Sequence, residues 1–297
     1  MGLFLFRAVR NNASSRQMPR LSYGIFGGGW TGSVTAYTDK YTYSNNAVAA
    51  GTVLGLARGD LAACGNNTVG IFGGDNGLTT YTDKYMYNSN AVAAGTVLGM
   101  ASHSLAACGN TTVGIFGGGW TTAYTVYTDK YTYSNNAVAA GTVLGLARYQ
   151  LAACGNATVG IFGGGWTSAA PTAYTDKYTY SNNAVAAGTV LGLARRQLAA
   201  CGNATVGIFG GGASGSITAY TDKYTYSNNA VAAGTVLGLA WTQLAACGNN
   251  TVGIFGGGYT TAYTAYTDKY TYSNNAVAAG TVLGLVRYQL AACGWGL

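Results

Sequence analysis

The stretch TDKYTYSNNAVAAGTVLGLAR, residues 38–58, returns with few changes five more times along this 297-residue chain. Its anchor Thr-Asp-Lys-Tyr begins at Thr38, Thr82, Thr128, Thr175, Thr221 and Thr267. A second anchor, Gly-Ile-Phe-Gly-Gly, begins at Gly24, Gly70, Gly114, Gly160, Gly207 and Gly253. Both recur every 44 to 47 residues. A period of that length marks an array of supersecondary units, each unable to bury its apolar surface alone.

One unit, starting at Leu151, divides into four extended segments. Leu151-Ala152-Ala153-Cys154 is followed by the turn Gly155-Asn156-Ala157, and residues 158–162 make a second strand closed by Gly163-Gly164. In residues 172–180, Tyr174, Asp176, Tyr178 and Tyr180 alternate with Ala173, Thr175, Lys177 and Thr179, the period of two that signals a strand. Ser181-Asn182-Asn183 is a turn, and residues 184–191 make a fourth strand. Composition agrees: 47 glycines, 24 tyrosines, two prolines and no glutamate favour strands and tight turns over helices. The expectation is an all-β six-bladed β-propeller of four-stranded antiparallel blades. Residue size grows from Leu-Ala-Ala-Cys to Ile-Phe to the tyrosine-rich third strand, as a wedge-shaped blade requires.

The blades resemble the kelch family. Ile161-Phe162-Gly163-Gly164, Tyr174, Tyr180 and Arg195 are similar to its pattern of a Gly-Gly after the second strand, later aromatics, and an arginine before the first strand. The resemblance covers residues 21–297, departing at Tyr180, where kelch usually has tryptophan, and in a shortened fourth-strand region. It implies a binding scaffold more often than an enzyme. The chain enters at a second strand, Tyr23-Gly24-Ile25-Phe26, and ends on a lone first strand, Leu290-Ala291-Ala292-Cys293. Pairing these two closes the ring and removes an open sheet edge.

Cys64, Cys108, Cys154, Cys201, Cys247 and Cys293 share one repeat position on the innermost strand. Facing sheets pack about 10 Å apart, whereas a disulfide needs Cα atoms within about 7 Å. Free, buried thiols are expected, the even count reflecting the number of repeats.

The copies differ on one face of the disc. The loops after strands one and three are nearly uniform Gly-Asn-x-Thr hairpins and Ser-Asn-Asn turns, with one swap at Asn88-Ser89-Asn90. The other face carries the inter-blade triplets Arg58-Gly59-Asp60, Ser102-His103-Ser104, Arg148-Tyr149-Gln150, Arg195-Arg196-Gln197, Trp241-Thr242-Gln243 and Arg287-Tyr288-Gln289. Its loops after Gly-Gly carry Trp30, Asp75-Asn76, Trp120, Trp166, Ala213-Ser214 and Tyr259. Tryptophan, tyrosine and arginine dominate recognition surfaces. The candidate ligand-binding face is therefore Trp30, Arg58, Asp60, His103, Trp120, Arg148, Tyr149, Trp166, Arg195, Arg196, Trp241, Tyr259, Arg287 and Tyr288.

The formal net charge is +7. The Asp-Lys pairs cancel within repeats, so the excess falls on the N-terminal segment and on this face, which is expected to be aromatic and modestly basic. Acidic glycans or acidic protein patches fit such a face. Nucleic acid is disfavoured, because no lysine-rich stripe tracks a backbone. With one histidine, His103, and no glutamate, the chain lacks convergent titratable groups; no catalytic residue, cofactor or metal is expected. Arg58-Gly59-Asp60 spells an integrin-type tripeptide by chance, and the Asn-x-Thr triplets at Asn156 and Asn203 follow from hairpin turn chemistry.

Residues 1–20 stand outside the repeat. Leu3, Phe4, Leu5 and Phe6 are apolar and Arg7 and Arg10 basic, with no classical secretory or lipidation signal and no apolar run long enough to span a membrane. The segment reads as an assembly anchor. Two functions follow as expectations. One is a non-catalytic recognition module for a glycan or protein, of the adhesin or phage tail and fibre kind. The other is a structural or decorating protein of a larger assembly such as a virion. Either favours a virion or cell-surface location.

Overall fold

A computed structural model describes residues 23–294. The candidate anchor Leu3, Phe4, Leu5, Phe6, Arg7 and Arg10 lies outside the described residues. Those described form six four-stranded antiparallel blades in a ring, with no helix. Among the described residues no helix is therefore long and apolar enough to cross a membrane. Blade four shows the plan: Ala152–Gly155 innermost, then Val159–Gly163, Thr175–Thr179 and Ala184–Ala187. Blade one closes the ring as expected. Ala291–Cys293 is its innermost strand and pairs with Tyr23–Gly27, Ile25 opposite Cys293 and Gly27 opposite Ala291.

The second strand reads as a continuous apolar run because both of its faces are covered. Ile71 packs toward blade three among Phe116, Tyr131 and Tyr133, while Phe72 packs toward blade one against Ile25 and Leu54. Six such clusters fill the six junctions, so the core lies between blades. The fourth strand is shorter than the sequence pattern suggests. It stops at Ala187, and Leu191 turns into the core at 3% exposure. Size does not keep growing outward: the Ala-Val-Ala-Ala outer strands are small, since the tyrosines and this leucine already fill the wedge.

The six cysteines are free and buried. Each thiol crosses a junction: Cys293 of blade one accepts a hydrogen bond from Tyr87 Oη of blade two at 3.2 Å. There it also fills the space above Gly70, where a Cβ would come within 2.4 Å of the sulfur. The repeated glycine before Ile-Phe thus makes room for the neighbouring blade's thiol.

Candidate functional site

The uniform face is uniform for a structural reason. Asn156 Oδ1 accepts from the backbone N–H and the hydroxyl of Thr158 and from Val159 N–H, fixing its hairpin. Its Nδ2 donates to Ala204 O of the next blade at 3.1 Å, and Asn66, Asn110 and Asn203 repeat that tie. The second asparagine of the Ser-Asn-Asn turns is left-handed, as at Asn183 (φ 57°), a conformation asparagine tolerates. It also accepts the lysine of the preceding blade, as Lys130 Nζ to Asn183 Oδ1 at 2.9 Å. At the swapped turn this clasp is replaced, and Lys40 lies over the Tyr23 ring at 3.8 Å. These loops are interlocked, so their constancy does not by itself make the other face's variation selected.

On the variable face the largest correction concerns arginine. Arg58, Arg148, Arg195 and Arg287 are fully buried. They pair with Asp83, Asp176, Asp222 and Asp39 at 2.6, 2.9, 2.5 and 2.8 Å. Each guanidinium reaches under its own blade. Arg58 also donates to Phe72 O, Gly74 O and Tyr81 O, and Gly55 N–H of the incoming linker donates to Asp83 Oδ1. Four of the six aspartates of the Asp-Lys pairs are therefore neutralised by arginine, and five of the lysines bond an asparagine of the next blade. Trp241 takes the buried arginine position in blade six, edge-on to Tyr266 at 5.5 Å between ring centroids. These five residues do not present their side chains to a ligand. The Arg58-Gly59-Asp60 tripeptide is likewise not displayed. Arg196 is the one triplet arginine left at the surface, so the face is not basic.

Where blade three has Ser102 and blade six Trp241, Asp129 and Asp268 have no arginine. Burial raises both carboxyls above the ordinary range, against N–H donation from Gly99 and Gly238.

The remaining candidates meet at blade junctions, where a loop aromatic packs on the middle triplet residue of the next blade. Trp120 lies against Tyr149 with Tyr124 beside both, at 5.8, 4.8 and 5.3 Å between centroids. Arg196 stands over the Trp166 ring at 4.4 Å. Tyr288 stacks on Tyr263 at 4.7 Å, with Tyr259 6.3 Å from Tyr288. Trp30 is half-buried and pairs its backbone with Tyr288. His103 is half-buried, and its desolvation pulls the imidazole below its ordinary range. Sequence reasoning missed Tyr124 and Tyr263. Each pairs across its loop with an aromatic four residues earlier, at the position where blades one, four and five carry Val34, Pro171 and Ile217, a divergence visible in the repeat alignment.

At the axis, the last triplet residues form a closed ring of backbone hydrogen bonds. Ser104 N donates to Asp60 O, Gln150 to Ser104, Gln197 to Gln150, Gln243 to Gln197, Gln289 to Gln243, and Asp60 N back to Gln289 O, all between 2.7 and 2.9 Å. All six are left-handed, with φ between 53° and 57°. None is glycine, and such a conformation persists only where its surroundings over-determine it. Ring closure supplies that constraint. Their side chains and the six leucines that follow line an axial cup of about 80 Å³. At the opposite end a cavity of about 120 Å³ is lined by the Ala-Cys-Gly ends of the inner strands. Among the described residues no group of side chains is arranged to hold a metal ion.

The fold defines a six-bladed β-propeller, an architecture that commonly serves recognition, its specificity residing in the loops grafted on it. No protein-family model matches the chain, and no curated protein matches it either.

Proposed function

We propose that this protein is a non-catalytic recognition module, a kelch-like propeller that holds a glycan or a protein surface against the aromatic clusters of its variable face. The observation that carries this reading is the Tyr259–Tyr263–Tyr288 cluster. Its rings support one another, yet Tyr259 and Tyr263 remain 37% and 38% exposed. Rings pre-positioned by their neighbours offer contact area at little further entropic cost. Trp120 with Tyr124, and Trp166 beneath Arg196, extend the pattern around the disc. With four arginines withdrawn into ion pairs, contact with the ligand rests on ring faces and hydrogen bonds.

The non-catalytic reading is supported at the one histidine. His103 Nδ1 lies 3.1 Å from Ser104 Oγ, but Asp60 bonds that serine, and Asp75 acts on the imidazole by charge without hydrogen-bonding it. The kelch-like reading is supported by Arg195, which precedes the inner strand and is bound beneath its own blade. A receptor-binding role on a virion or cell surface, as in adhesins and phage fibres, fits a rigid disc with many diversified junctions.

A glycan array combined with cell-binding measurements tests the reading. Binding by the intact protein should fall at least tenfold in Tyr263→Ala and Trp166→Ala variants that melt normally. Absence of binding in both formats, or binding indifferent to these rings, overturns it.

A further inference from the structure

We propose that the axial cup of the variable face is a subsite for a primary ammonium group. The proposal rests on the reading of that face as a ligand-binding surface and names one chemical feature its ligand carries. The sign of the local charge is the first ground. Once Arg58, Arg148, Arg195 and Arg287 are neutralised by aspartates, the ionised group at the mouth is Asp60, with Asp75 nearby in the adjoining loop. Arg196 is held over Trp166.

The second ground is the pair of open acceptors beside Asp60. Closing the backbone ring consumes the N–H of all six mouth residues. Asp60 Oδ2 accepts from Gln289 Nε2 at 2.8 Å, and Ser104 also bonds the carboxylate. Gln150 Oε1 is buried with no donor at all, and Gln197 Oε1 accepts only from Thr242 Oγ1, at 3.0 Å. A buried acceptor without a donor is costly, and an ammonium seated beside Asp60 would bring the N–H bond that Gln150 Oε1 lacks. An ammonium has three and no acceptor. A guanidinium fits less well, because its planar fork is matched by a free carboxylate edge, and one Asp60 oxygen is already engaged. A calcium-type ion takes six to eight oxygen ligands, commonly several of them carboxylates, and this ring has one carboxylate.

The third ground is space. The cup of about 80 Å³ exceeds several-fold what a single water requires. Leu61, Leu105, Leu151, Leu198, Leu244 and Leu290 line it, so an aliphatic or sugar carbon next to the ammonium meets apolar wall. Burial raises the Asp60 carboxyl to about 6, which leaves it mostly ionised at neutral pH and favours an incoming cation.

The test is a chemical-shift titration of the glutamine side-chain amides in the full chain, at constant ionic strength. The probes are n-butylammonium and glucosamine, against uncharged n-butanol and N-acetylglucosamine. The amines should saturate and the uncharged partners should not; preference between the two amines tells a lysine-like stem from an amino sugar. Asp60→Asn, which suits the left-handed backbone, should weaken amine binding at least tenfold, and Gln150→Glu should tighten it. Failure of both amines to saturate, or affinities indifferent to Asp60→Asn, overturns the proposal. Should Asp60→Asn not fold, Gln150→Glu decides alone. Tyr263→Ala and Trp166→Ala should leave amine binding intact; saturable amine binding by a protein that binds nothing on the glycan array or on cells, or whose ligand binding ignores these rings, would sink the recognition reading and spare the cup.

Discussion

Arg287 and Asp39 stand 248 residues apart in the chain and 2.8 Å apart in space, both fully buried. The pair joins the last linker to the first complete third strand, so it locks the ring at the seam. Gly284 N–H also donates to the same carboxylate, at 2.9 Å. Buried ion pairs add modest net stability, but removing one partner strands a charge. Arg287→Leu should therefore destabilise the fold by about 3–5 kcal/mol. Adding Asp39→Asn should recover part of that loss. Urea unfolding of the single and double variants checks this, and a seam that tolerates Arg287→Leu alone contradicts it.

Blade three offers the converse experiment. Ser102 sits where four blades place an arginine, above the buried carboxylate of Asp129. Ser102→Arg should install a fifth ion pair on a carboxylate that now has none, raising the unfolding midpoint and adding about 1.5–3 kcal/mol to the unfolding free energy if its hydrogen bonds match those of other charged groups. An unchanged or lowered midpoint would mean that the linker of blade three is too tight for the side chain.

Gly70 is the clearest packing constraint. A methyl group there would lie 2.4 Å from Cys293 Sγ and 2.7 Å from Tyr87 Oη. Gly70→Ala should cost about 1–3 kcal/mol through overpacking. Pairing it with Cys293→Ala, which removes the sulfur, should return part of the loss in a double-mutant cycle. Additive costs would show that the thiol is not the obstacle.

The thiols themselves should be silent. Burial pushes Cys64, Cys108, Cys201, Cys247 and Cys293 up to about 12, and the thiolate is the reactive form. The native protein should take up almost no thiol reagent, and the denatured chain should take up all six equivalents without a reductant. Uptake that waits for a reductant would reveal disulfides.

Asp60 sets a pH dependence. Its carboxyl is raised from 3.8 to about 6, chiefly by burial. Between those values the folded state binds more protons than the unfolded chain, so stability from this group is full below pH 3.8 and is lost as pH rises through 6. Asp60→Asn should flatten the melting temperature against pH across that window and exceed the parent above it. Parallel profiles would remove Asp60 as the cause.

Much of the architecture was legible because its signals are local. Alternation in residues 172–180, a glycine pair after each second strand and a fixed period specify blades without knowledge of their neighbours. The seam followed from a missing first strand at Tyr23 and a surplus one at Leu290. The binding face was legible only in part. Trp120, Tyr149, Trp166, Arg196, Tyr259 and Tyr288 do meet across junctions, whereas the arginines read as surface cations and Trp241 are interior.

The reason lies in each triplet, whose three consecutive residues take three directions. In Arg287-Tyr288-Gln289 the first side chain runs under the blade to Asp39, the second stacks on Tyr263, and the third faces the axis with a left-handed backbone of φ 56°. Spacing along the chain shows only that such residues share a loop. By itself the sequence determined the strand period, the number of blades and the strand pair that closes the ring, because those depend on short-range pattern. The tertiary structure alone decided which charges are spent inside the protein and which remain outside. A guanidinium is buried only where a carboxylate waits, and those carboxylates lie from 25 to 248 residues away.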